Sequence, residues 1–115
     1  MAELTVRPIV KEGLNPIDDV YETATVADEF PNDGHTFLHY VNGHAAETPV
    51  VTINSQVKCD QGVDDDIVAG AMVVDVGELM IGPFDPGRFN NAQGNVEVTV
   101  DAATTLKVAC FSSVP

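Results

Sequence analysis

The sequence predicts an all-β fold: a single-domain β-sandwich, jelly-roll-like, of about eight mostly antiparallel strands spanning residues 1–115. Three observations lead there. Valine dominates the apolar residues, with 18 in the chain, and threonine is common. Their branched carbons pack well on a pleated surface. Several segments alternate apolar and polar residues with period two, and turn formers recur between them. No helix of ordinary length is visible. At 115 residues the chain is long enough for one core, burying roughly 65% of its unfolded surface.

The strands follow in order. Leu4-Thr5-Val6-Arg7 alternates and runs into Pro8-Ile9-Val10, which predicts a first strand at a sheet edge, because proline cannot donate to a ladder. Lys11 to Pro16 is turn-like. Val20 to Val26 alternates and reads as the second strand, and Phe30-Pro31-Asn32-Asp33-Gly34 reads as a loop. His35 to Val41 is the third strand. Asn42-Gly43 is a hairpin signal with a loop longer than two residues, and Thr48 to Asn54 is the expected partner strand. Gln56 to Asp60 reads as a short extended piece, and Gln61 to Asp66 as an acidic loop. Ile67 to Val76 is apolar up to Val74, with Asp75 near its end. Extended chain is expected there, since valines and a glycine sit badly in a helix. Glu78 to Ile81, Asn95 to Val100 and Thr104 to Phe111 complete the set, with a turn at Asp101-Ala102-Ala103 before the last.

The charge balance excludes some functions. Eighteen acidic side chains face three lysines (Lys11, Lys58, Lys107) and two arginines (Arg7, Arg88), for a net charge of -13. Direct nucleic-acid binding and adhesion to anionic membranes both need basic groups, so neither is expected. The balance fits a basic partner or a high-salt environment. Self-repulsion destabilises a compact acidic chain at low ionic strength, but at about 1 M salt the screening length falls to roughly 3 Å. A halophilic adaptation and an ordinary acidic protein both remain open. No apolar run is long enough to cross a membrane, and Met1-Ala2-Glu3-Leu4 lacks the pattern of a signal peptide. Synthesis in a cytoplasm is therefore expected.

No catalytic set emerges, and the chain reads as a non-enzyme with no cofactor and no metal. His35 and His39 share a strand face but lie about 13 Å apart, too far for one metal ion, so the histidines read as surface or interface residues. Asp64-Asp65-Asp66, with Asp60 nearby, lacks the ligand spacing of an EF-hand and reads as a solvated acidic loop. Cys59 and Cys110 read as two small buried residues; a disulfide would need their strands side by side.

The densest stretch is Leu79 to Asn91. Gly82-Pro83 stops an apolar run, and Asp85-Pro86-Gly87 reads as a turn, since proline presets φ and glycine accepts positive φ. Around the turn lie Phe84, Asp85, Arg88 and Phe89. Two readings stand together: the phenylalanines cap the core while Arg88 pairs with an aspartate, or all four residues meet a neighbouring subunit. Aromatics and arginine are enriched in interface cores.

Several motifs recur in a recognisable order. They are Phe30-Pro31-Asn32-Asp33-Gly34-His35-Thr36-Phe37-Leu38, Asn42-Gly43, the Val-Thr-Ile strand with Cys59, Ile81-Gly82-Pro83-Phe84-Asp85-Pro86, Phe89-Asn90, and Gly94 with the Val-Glu-Val-Thr strand. Together they resemble small virion structural proteins of tailed viruses. The resemblance covers roughly residues 3 to 111. It implies a β-sandwich that assembles as a symmetric oligomer on a capsid, with the major capsid protein and copies of itself as partners and the virion as its location. The expected function is capsid decoration or cementing. The alternatives are a head–tail connector, a tail or spike-base component, or a non-enzymatic carbohydrate or small-ligand binding module. The acidity points to a virus of a salt-loving archaeal host.

Overall fold

The computed structural model describes residues 2–9, 20–44, 46–56, 66–75 and 77–113. These residues form a β-sandwich of two sheets. The strands are β1 (Ala2–Glu3), β2 (Val6–Pro8), β3 (Glu22–Thr23), β4 (Ala27–Pro31), β5 (Thr36–Asn42), β6 (Val51–Ile53), β7 (Ile67–Val68), β8 (Gly77–Ile81), β9 (Asn95–Val100) and β10 (Leu106–Ser112). A four-residue helix, α1 (Pro86–Phe89), lies between β8 and β9. The first sheet has the order β1-β4-β9-β6-β7, and the second β2-β10-β5-β8. β3 pairs with β10 beside Lys107–Val108, while β2 pairs with it beside Cys110–Ser112. Pairing is antiparallel except for β1 on β4 and β2 on β10.

The inner faces are set by alternation. On β5, Thr36, Leu38, Tyr40 and Asn42 are buried, while Phe37, His39 and Val41 between them are half-buried on the outer face. Leu38 and Tyr40 meet Val51, Ile53, Val96, Val98, Leu106 and Val108 in one core shared by both sheets. Removing such side chains from water is the main stabilising term, about 1.5–3 kcal/mol for each large one. β10 departs from simple alternation, since Ala109 and Phe111 on its outer side are buried as well. Val20, Tyr21 and Phe37 cover them in a second, smaller apolar cluster.

The structure corrects several sequence expectations. Within the predicted first strand, Leu4 to Val10, the residues Val6–Pro8 pair as β2 in the second sheet, and an unpredicted two-residue strand before it, β1, joins the first. Of the predicted second strand only Glu22–Thr23 pairs as one piece, and the predicted loop at Phe30 begins inside β4. Ala27-Asp28-Glu29 has poor strand propensity, but pairing of β4 with Asn95 to Thr99 of β9 outweighs it. The hairpin at Asn42-Gly43 does not form. β5 lies between β10 and β8, whereas β6 lies in the other sheet between β9 and β7. The Asn42 side chain instead donates to the Glu47 and Val73 carbonyls, each at 2.9 Å, and accepts from the His44 amide. Among the described residues of the predicted extended run from Ile67 to Val76, only Ile67–Val68 is a strand. The turn at Asp85 is the N-terminus of α1, with Asp85 as cap and proline in its first turn, where a missing N–H is harmless. The expected pieces at Gln56–Asp60 and Gln61–Asp66 fall almost wholly outside the described residues, as do Lys11–Pro16 and Cys59.

Candidate functional site: the corner and the cleft beside it

The residues from Gly82 to Asn91 fold over one end of the sandwich. Gly82 precedes Pro83 through a cis peptide bond and has φ +129°. A Cβ there would lie 2.8 Å from the Phe37 Cβ and 2.9 Å from its Cα, so only glycine fits. The chain then turns inward. Phe84 packs on Phe30 at 5.7 Å between ring centroids and on Phe89 at 6.0 Å.

An asparagine pair locks this corner to the start of the β4–β5 link. Asn32 is buried, and its amide nitrogen donates to the Phe84 carbonyl at 3.1 Å and to Asn90 Oδ1 at 2.8 Å. Its Oδ1 accepts from the Gly34 amide at 3.0 Å. Asn90 returns the bond, its Nδ2 donating to the Asn32 carbonyl at 2.9 Å. The Asn32 amide donates to the Gly94 carbonyl at 3.1 Å, which brings the next loop into the same assembly. Satisfied buried polar groups of this kind define one geometry, because any shift leaves a group unpaired.

The four residues singled out from the sequence separate here. Phe84 and Phe89 are core residues, 2% and 3% exposed. Asp85 is exposed, and its side chain accepts from the Gly87 amide at 3.0 Å. Arg88 is half-buried, its guanidinium 4.6 Å from the centre of the Phe89 ring, and its carbonyl accepts from Gln56. The surface that the corner offers outward is therefore mainly Gly82, Pro83, Asp85, Pro86 and Gly87. Asn32 and Asn90 are the residues that sequence reasoning missed; each reads locally as an ordinary turn former.

Beside the corner lies a cleft of about 260 Å³, lined by Val6, Pro31, Asn32, Asp33, Thr36, Gly94 and Ser112. It is smaller than the roughly 300–1,000 Å³ of typical ligand pockets. No grouping of three or more His, Cys, Asp or Glu side chains suited to a metal ion occurs among the described residues. Among them too, no helix is long and apolar enough to cross a membrane.

The histidines occupy three different settings. His35 is exposed. The Nδ1 of His44 accepts from the Ala46 and Glu47 amides, each at 3.0 Å, which caps that turn. His39, on the outer face of the second sheet, is hydrogen-bonded on both sides. Its Nε2 meets Glu78 Oε1 at 2.9 Å, and its Nδ1 meets the Tyr21 hydroxyl at 2.5 Å. A carboxylate only accepts, so Nε2 carries the proton; in the neutral ring Nδ1 then accepts from the tyrosine. This chain ties β8, β5 and the residue before β3 together.

Two buried groups titrate abnormally. Burial raises the Tyr40 hydroxyl well above its ordinary range, and nearby Asp28 and Cys110 add to the effect. Burial likewise raises the Cys110 thiol, assisted by Glu22 and Asp28. Cys110 is a free, buried thiol on the inner face of β10 and stays protonated at neutral pH, which makes it a packing residue.

No known protein family, no curated protein and no solved structure matches this chain.

Proposed function

We propose that this protein is a virion structural protein, a capsid decoration or cement protein that oligomerises and reinforces the head shell. One observation carries the reading. Four of the segments bearing the resemblance to virion structural proteins, around Phe30–Gly34, Phe84, Phe89-Asn90 and Gly94, are distant in sequence yet meet at one end of the sandwich. Phe30, Phe84 and Phe89 stack there, and Asn32 joins Phe84, Asn90 and Gly94 by hydrogen bonds. The outward surface of this end, with the half-buried Arg88 beside exposed Asp85, suits a contact with the major capsid protein. Cementing of this kind is distributed adhesion, in which modest contacts repeated by symmetry make a shell hard to open.

Purified particles provide the test. Stripping the protein from them in molar salt should lower the temperature at which the shells open, and adding it back should restore that temperature. Shells of unchanged heat resistance would refute cementing. Copy number separates the neighbouring readings: hundreds of copies per particle indicate decoration, and six or twelve a connector.

A further inference from the structure

A chain with a net charge of -13 needs a place where another copy can approach, and one uncharged run leads into an edge of this sandwich. Residues 67–74, Ile-Val-Ala-Gly-Ala-Met-Val-Val, carry no charged side chain. In the structure they run from β7, at the edge of the first sheet, toward β8, at the edge of the second. Ala69 donates to the Val51 carbonyl and Met72 to that of Pro49, while the Met72 side chain is buried in the core. Ile67 and Ala69 are half-buried against the core as well, so the outward residues of the run are Val68, Gly70, Ala71 and Val73. Val68 is 65% exposed, Val73 61% and, on β8, Met80 65%; they are three of the five large exposed hydrophobic residues among those described. Gly70 and Ala71 are exposed between them.

β8 itself has an open side. Its five residues pair with β5 alone, and the opposite edge meets no backbone partner among the described residues. Other edges are blunted in the ways that sheets avoid self-pairing: β1, β3 and β7 are two residues long, and β2 contains Pro8. β8 contains neither proline nor lysine. An open edge with exposed Met80 on it and exposed Val73 beside its first residue, Gly77, marks an interaction site.

We propose that this edge is the interface between two copies of the chain, formed by antiparallel pairing of β8 with β8 of a second copy about a two-fold axis. The inference rests on the oligomerising role proposed above and names its contact. Self-complementarity favours this occupant. A register centred on Leu79 sets Glu78 opposite Met80 of the second copy, so the one charge of the strand never faces its own image. A two-fold axis makes each contact twice and closes the assembly. Val73 of each copy then lies beside the joined strands, next to Gly77.

Sedimentation equilibrium of the full chain at about 2 M NaCl, where charge repulsion is screened, should show twice the 12.2 kDa of one copy. The double variant Val73→Lys, Met80→Lys places charges on the exposed border and should sediment as a single copy with an unchanged far-UV spectrum. Independently, amide exchange across Gly77–Ile81 should slow as wild-type concentration rises. A wild-type monomer at every concentration, a dimeric double variant, or exchange independent of concentration would each overturn the pairing. Particle binding separates this inference from the cementing role. A wild-type monomer that binds particles overturns only the pairing, and a dimer that binds none overturns only the cementing.

Discussion

Replacing Asn32 tests whether the corner is held by its asparagine pair. Asn32→Ala removes three side-chain hydrogen bonds, to the Phe84 carbonyl, Asn90 Oδ1 and the Gly34 amide. At about 1 kcal/mol each, the expected loss is about 3 kcal/mol, a large share of the 5–15 kcal/mol typical of a folded domain. Asn32→Asp keeps the shape and the bond to Gly34, but turns a carboxylate oxygen toward two acceptors in a buried setting, so its loss should be at least as large. The assay is equilibrium urea unfolding at constant molar salt, comparing midpoints at unchanged m-value. A double-mutant cycle with Asn90→Ala should show a coupling above about 0.5 kcal/mol, since the two side chains share their bonds. An Asn32→Ala loss below about 1 kcal/mol, or strictly additive variants, would refute the reasoning.

Salt should act visibly on the first sheet. Glu29 pairs with Glu3 on β1 and with Glu97 on β9, and the Asn95 amide nitrogen bonds both Glu29 and Glu3. Glu29→Gln keeps an acceptor for Asn95 and removes the central charge, so it should stabilise the fold by about 1 kcal/mol at low ionic strength. That gain should vanish near 1 M salt; an equal gain at both would show that charge is not its source. Alkaline pH should destabilise the fold. Cys110 and Tyr40 hold their protons more tightly folded than unfolded, so their stabilising contribution is complete below their ordinary values of 9.0 and 10.0 and is lost as pH rises beyond them. Each group should contribute a slope of up to about 1.4 kcal/mol per pH unit, and Cys110→Ala should move the onset from near 9 toward 10; an onset unmoved by the change would refute the assignment. Gly82→Ala meets both the Phe37 backbone and an unfavourable φ, so a loss of about 2 kcal/mol or more is expected in urea unfolding, and a neutral result would contradict the packing described.

Much of the strand content was legible because the two faces of each strand see different surroundings. Val96–Val100 alternates in sequence and in burial alike, and Thr36–Asn42, rich in aromatic and β-branched residues, alternates in burial. Ala27–Pro31 was not legible, since an acidic, proline-ended segment has no strand signature; its neighbour β9 makes it one. Within the candidate site, the proline and glycine chemistry of the corner could be read directly, including the inward phenylalanines as one of two readings. Its asparagine lock could not, because Asn32 and Asn90 stand 58 positions apart. The same holds for His39, whose partners Tyr21 and Glu78 lie 18 and 39 positions away.

By itself, then, the sequence determined which segments extend, where the chain must turn and how much charge the molecule carries, because each depends on local backbone preference or on composition. Tertiary structure alone decided which strands are neighbours. Apart from β2 with β3 and β6 with β7, consecutive strands lie in opposite sheets, since crossing over lets both sheets close on one core. Asn42-Gly43 therefore carries the chain between sheets, and the uncharged run after Ile67 anchors Met72 in the core while leaving Val68 and Val73 exposed.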